Sequence, residues 1–105
     1  MGKLTLVIIT EPAELDIIGI DKYISQDLHS PQAADNLLDE FDKHILSLEE
    51  MPKRHALVDD ERLARLGIRK IPVNNYLVFY RVDENETKVL IVRVLYGMRD
   101  WANIL

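Results

Sequence analysis

Apolar and polar positions along the chain change period three times, and each change predicts an element. Leu4 to Ile9 is short and β-branched, which predicts a first strand, and Thr10 with Pro12 reads as its stop and a restart. A helix is expected over about 12–27. Thr10 is a candidate cap, Pro12 suits an early helical position, and Glu11, Glu14 and Asp16 complement the positive end of the helix dipole. Its apolar set, Leu15, Ile17, Ile18, Ile20, Tyr23 and Ile24, is wide for one stripe. Gly19 costs ~1 kcal/mol relative to Ala in a helix interior, so it is expected to mark a tight helix contact.

Ser30-Pro31 starts a second helix over about 31–49, with Ser30 as its expected cap and Pro31 at the first helical position, and Ala34, Leu37, Leu38, Phe41, Ile45 and Leu48 recur at spacings of three and four. Asp35, Asp39, Glu40 and Asp42 fall between them and make the outer face acidic. The two helices are expected to form a short-looped antiparallel hairpin. Met51-Pro52 ends the pattern, and residues 53–61 have neither period, which predicts a loop.

From Leu66 the period becomes that of strands, over about 66–73, 76–82 and 88–96, giving an antiparallel meander. Asn74-Asn75 between β-rich runs predicts a two-residue type I′ turn, since Asn tolerates positive φ. That turn sets a register: Val73 opposite Tyr76, Ile71 opposite Val78 and Arg69 opposite Tyr80 on one face. Ile68, Lys70, Pro72, Leu77, Phe79 and Arg81 fall on the other. Both faces are largely apolar, so the helices are expected to cover one and the tail from Trp101 to Leu105 part of the other. The expectation is an α+β fold in which an N-terminal strand, an α-helical hairpin and a three-stranded antiparallel meander form one sheet packed on the helices. Residues 1–105 make a single domain.

Composition narrows the chemistry. There is no cysteine, hence no disulfide or thiolate metal site, which fits a reducing compartment. His29, His44 and His55 show no ligand spacing and read as solvated or structural, and Asp59-Asp60-Glu61 reads as solvated loop acids rather than a metal cluster. The apolar start is too short for a signal-peptide core or a membrane span, so a cytoplasmic protein without membrane, metal or cofactor is expected. The net charge of −5 is uneven. Residues 1–60 hold 5 Lys/Arg against 13 Asp/Glu, and residues 61–105 hold 8 against 5. The basic C-terminal part could face an anionic partner, whereas an acidic whole argues against indiscriminate polyanion binding.

Phosphate loops, HExxH and nucleophile elbows are absent. What remains is a cationic and aromatic set: Arg69, Lys70, Arg81, Arg93 and Arg99 with Tyr76, Tyr80, Tyr96 and Trp101. Guanidinium groups match phosphate oxygens and rings stack on bases. The same arginines could equally lie over rings or pair with acids such as Asp83 and Asp100. Tyr96, ahead of Gly97 and Arg99, ends a strand, where side chains project from the sheet.

The ordered set closely resembles the RelE/ParE toxin superfamily of bacterial type II toxin-antitoxin modules. It comprises the first strand, Pro12-Ala13, Tyr23-Ile24, Pro31 with Ala34, Leu48 and Met51-Pro52, then Gly67-Ile68-Arg69, Asn75-Tyr76, Phe79-Tyr80-Arg81-Val82 and residues 93–101. The resemblance spans almost the whole chain and implies a toxin, of the kind that stabilises plasmids, neutralised by a cognate antitoxin whose extended segment occupies an apolar groove between helices and sheet. It also leaves a homodimer open. RelE-like members cleave mRNA on the ribosome without metal; ParE-like members poison DNA gyrase. Were the chain a ribonuclease, the resemblance would implicate Arg69, Arg81, Arg93, Tyr96 and Arg99. Two departures favour the ParE side: Leu77 stands where ribonucleases of the superfamily usually place a cation, and Leu105 where they place a C-terminal tyrosine. The sequence pI of about 5.1 also fits docking among ribosomal phosphates poorly, and helix two, opened by Pro31, resembles the ParE pattern. The expectation is a gyrase-directed toxin acting by protein binding, with two alternatives: a ribosome-dependent endoribonuclease, and an inactive antitoxin-binding relative.

Overall fold

A computed structural model describes residues 5–85 and 87–105. Strand β1 (Leu6–Ile9) leads into helix α1 (Glu11–Lys22), which widens into a π-helical turn over Tyr23–Asp27. Helix α2 (Pro31–Leu46) follows and tightens into a 3-10 turn over Ser47–Glu49. A one-turn helix α3 (Glu61–Arg65) precedes β2 (Arg69–Val73), β3 (Tyr76–Asp83) and β4 (Lys88–Tyr96), and a last turn, α4 (Trp101–Ile104), ends the chain. The strands form one four-stranded sheet in the order β1-β4-β3-β2, with β1 parallel to β4 and the other pairs antiparallel.

The expected register holds. Val73 faces Tyr76, Ile71 faces Val78 and Arg69 faces Tyr80. The turn differs: Asn74 has a φ of 54° but Asn75 does not share a positive φ, so the loop is not type I′. Gly97 donates its N–H to the Asn75 carbonyl at 2.8 Å, and a Cβ on Gly97 would lie 3.2 Å from that oxygen. The close approach of turn and strand end thus favours glycine there.

The first face of the sheet packs on the helices. Leu37, Phe41, Ile45 and Leu48 from α2 and its 3-10 extension meet Ile71, Val73, Val78, Tyr80, Val89, Ile91 and Val94. The second face carries Phe79 and Leu95, covered by Trp101, Ala102, Ile104 and Leu105 as expected. It also takes Val58, from the stretch expected to be loop, and Leu63 and Ala64, from residues 62–65, for which no element was expected. Glu61–Arg65 turn helical because the Asp60 carboxylate accepts the Leu63 N–H at 2.9 Å and caps α3, while Gly67, at φ 81°, lets the chain leave it. Asp60 is therefore a cap rather than a merely solvated acid, and the first strand of the meander starts at Arg69 rather than Leu66.

Three further expectations are corrected. Gly19 marks no tight contact, since nothing lies within 4 Å of a Cβ built there; it borders a cavity instead. Thr10 and Ser30 precede their helices without side-chain caps. The Thr10 hydroxyl donates to the Ile91 carbonyl at 2.7 Å, extending the β1–β4 seam by one residue. Of the expected first strand, Leu4 lies outside the described residues, and Thr5 precedes the strand.

Candidate functional site

Among the described residues, strand β1 pairs with Lys88–Ile91 of β4, and no strand neighbours the C-terminal half of β4 on that side. Bare strand edges invite pairing, and α1 closes this one. Asp16 does so with one carboxylate: Oδ2 accepts the Val94 N–H at 2.9 Å and Arg93 Nε at 2.7 Å, and Oδ1 accepts Arg93 Nη2 at 2.9 Å. The hydrogen bonds from Arg93 to Asp16 raise the guanidinium pKa above its ordinary value, against an opposing pull from burial. Arg93 thus pairs with Asp16, not with Asp83 or Asp100. Sequence reasoning treated Asp16 only as a dipole-complementing acid; the available signal was a carboxylate set between the apolar Leu15 and Ile17.

Beside this anchor a groove of about 670 Å³ runs between α1 and the ends of β3 and β4. Leu15, Gly19, Ile20 and Tyr23 form one wall, Tyr76, Val94, Leu95 and Tyr96 the other, and Arg99 lies among the residues that line it. Tyr23, Tyr76 and Tyr96 also border an adjoining depression of about 360 Å³ that reaches Leu28, Ala33 and the Asn74-Asn75 turn. The rings support one another. Phe41 meets Tyr76 edge-on at 6.0 Å, and Tyr76 meets Tyr96 at 5.8 Å. Burial raises the Tyr76 pKa, with Tyr23 and Tyr96 adding to the shift, so the phenol is neutral at physiological pH. Leu15, Ile18, Tyr23 and Leu28 expose large apolar surface along the same side.

The five candidate residues separate. Tyr96 and Arg99 line the groove, and Arg93 adjoins it through Asp16. Arg69 stands at the far end of β2, donating to the His55 carbonyl at 2.6 Å, and Arg81 is exposed toward the far end of β3. Of the remaining set, Lys70 lies 5.4 Å over the Trp101 ring, on the tail face. Tyr80 is wholly buried; its hydroxyl has no hydrogen-bond partner among the described residues, although the nearby His55 backbone exerts a pull. His55 meets the Tyr80 ring edge-on, and burial first, then Arg54 and His44, lower its pKa. No group of three or more His, Cys, Asp or Glu side chains that could hold a metal occurs among the described residues. Nor is any helix among them long and apolar enough to cross a membrane.

Residues 7–101, which span the first strand, the helical pair and the meander, match the family model of the ParE toxin of the type II toxin-antitoxin system parDE. The chain belongs to that family. Among solved structures, this toxin is similar to a chain of the chromosomal ParDE toxin-antitoxin system from P. aeruginosa, at a TM-score of 0.71 and 17% identity, over 89% of this chain and 96% of that one. It is also similar to a chain of the RelBE2 toxin-antitoxin complex from Mycobacterium tuberculosis, at a TM-score of 0.55 and 21% identity, over 89% of this chain and 98% of that one. Identities this low establish the shared RelE/ParE fold and no more. No curated protein sequence matches significantly.

Proposed function

We propose that this ParE-family toxin acts in the cytoplasm on DNA gyrase by protein binding rather than bond chemistry. In this reading a cognate antitoxin neutralises it by laying an extended apolar segment in the tyrosine-lined groove. The observation that carries the reading is the way the cations are used. A metal-free ribonuclease needs basic groups converging on one phosphate to activate a hydroxyl and stabilise developing charge. Here Arg93 is held by Asp16, Arg69 is turned to the His55 carbonyl, and Leu77 packs with the second apolar cluster. An apolar groove rimmed by aromatic rings suits a peptide that orders on binding. The RelBE2 neighbour was solved as a toxin-antitoxin complex, which supports such a partner.

Purified toxin added to gyrase and relaxed plasmid is expected to abolish supercoiling or trap cleaved DNA; normal supercoiling at excess toxin would overturn the proposal. One observation favours a second reading, since Tyr96 and Arg99 share the groove and could serve a RelE-like ribosome-dependent cleavage of mRNA. That reading requires codon-positioned cuts in translated message that weaken in Arg99→Ala. Unchanged host growth on induction, with both assays negative, would identify an inactive antitoxin-binding relative.

A further inference from the structure

The far end of the sheet holds a second cavity, of about 510 Å³, bounded by the stretch after α2, the β3–β4 hairpin and the residue before β1. It is open to solvent, its volume is in the range of small-ligand sites, and it lies away from the tyrosine groove. Met51, Pro52 and Val82 give it apolar walls. Among the described residues, Lys53, Arg54 and Lys88 line it with one acid, Glu84, whereas the chain as a whole is acidic.

These three cations are not equivalent. Lys53 forms an ion pair with Glu84, tying the stretch after α2 to the hairpin. Lys88 stands opposite Asp83 in the β3–β4 register. The Arg54 backbone N–H donates to the Met51 carbonyl at 3.2 Å, but its exposed guanidinium makes no hydrogen bond or ion pair with any described residue. Beneath the same stretch, the buried Tyr80 hydroxyl has no hydrogen-bond partner among the described residues and feels the His55 backbone, then the Arg69 and Arg54 charges. A guanidinium without a side-chain partner among the described residues, beside apolar walls, matches one planar monoanion attached to hydrocarbon, because its parallel N–H groups fit the two oxygens of a carboxylate. A phosphate dianion would call for a second free cation, and here both lysines have acidic partners to hand.

We propose that this cavity binds a small amphipathic carboxylate, its oxygens on Arg54 and its hydrocarbon against Met51, Pro52 and Val82. The site is separate from the groove and does not depend on which target the toxin has.

Decanoate titrated into the full chain below its micellar concentration, followed by NMR and calorimetry, tests this. Saturable one-to-one binding is expected, with shifts centred on Met51, Arg54 and Val82. Decanol should bind about tenfold more weakly, and Arg54→Ala should weaken decanoate by about the same factor, the loss typical of a charged hydrogen bond. Met51→Asp, a second exposed substitution that leaves the core intact, should weaken both ligands. Thermal melts would establish that the variants are folded. Equal affinity for decanol, an unchanged affinity in Arg54→Ala, or shifts centred on Tyr76 and Tyr96 would overturn the proposal. So would a failure of decanoate to bind, whether or not an acidic peptide occupies the same residues.

Discussion

The two faces of the sheet are built from the same strands yet covered in different ways. On the first, a continuous stripe from one 16-residue helix, α2, supplies Leu37, Phe41 and Ile45. On the second, the cover is assembled from three pieces distant in sequence: Val58, the single turn of α3 with Leu63, and the tail with Trp101. A periodic stripe buries itself wherever the helix docks, so its role follows from spacing alone. A patchwork cover works only if several short segments arrive together, and none of them has a period of its own. The difference accounts for the site's position, because the helix face widens into the groove at its α1 edge while the tail face is closed by Trp101 against Phe79 at 5.2 Å.

The strongest way to break the contrast is to remove its anchor on the helix face. Phe41→Ala deletes a ring that is 1% exposed and is expected to cost about 3–5 kcal/mol in chemical denaturation. A loss under about 1 kcal/mol would mean that α2 is no firmer a cover than the tail.

Next in size is Asp16→Ala, which strands the Arg93 charge and the Val94 N–H together. A loss of about 2 kcal/mol is expected, with faster amide exchange at Val94, because hydrogen bonds to charged groups are the costly ones to leave unmade. An unaltered Val94 exchange rate would show that α1 does not depend on this carboxylate to seal the edge.

Trp101→Ala should cost less, about 1–2 kcal/mol, since the ring is only half-buried and its neighbours come from short segments. As the chain has a single tryptophan, its fluorescence reports on the tail face alone. In the unmutated protein the fluorescence and far-UV transitions should coincide, because strand residues alternate between faces and couple them. A fluorescence transition at lower denaturant would separate the two covers into independent units.

The smallest effect is that of pH. Burial raises the pKa of Tyr76 and Tyr80 above the ordinary 10.0, so the folded state prefers the neutral phenols. Their contribution is complete below pH 10 and is lost as pH rises through the folded values. His55 is shifted the other way, below 6.5, so its contribution is present above pH 6.5 and lost as pH falls through the folded value. Urea midpoints across pH 5–11 should fall at both ends, with His55→Gln flattening the acid limb and Tyr76→Phe the alkaline one. The two tyrosines pack in the helix-face core, and His55 meets Tyr80 there, so the pH dependence reports on that face.

What the residues declared by themselves was the local grammar. The α2 stripe, the Pro31 start, the meander, its register about Asn74-Asn75 and the tail's contact with the second face all follow from period, turn chemistry and alternation, which act over a few residues. The resemblance carried the family, and residues 7–101 bear it out. Tertiary structure decided the rest. That β1 lies parallel beside β4, that Asp16 replaces the missing strand at Val94, and that Tyr23, Tyr76 and Tyr96 enclose one groove depend on segments more than 50 residues apart in the chain. The same holds for the cations: equivalent as charges in a sequence, they differ once folded, because partners from other elements hold Arg93 and Arg69 while Arg99 and Arg54 line cavities. Pattern specifies which surface an element must bury, but only the docking of those surfaces determines which polar groups meet a partner and which face a ligand.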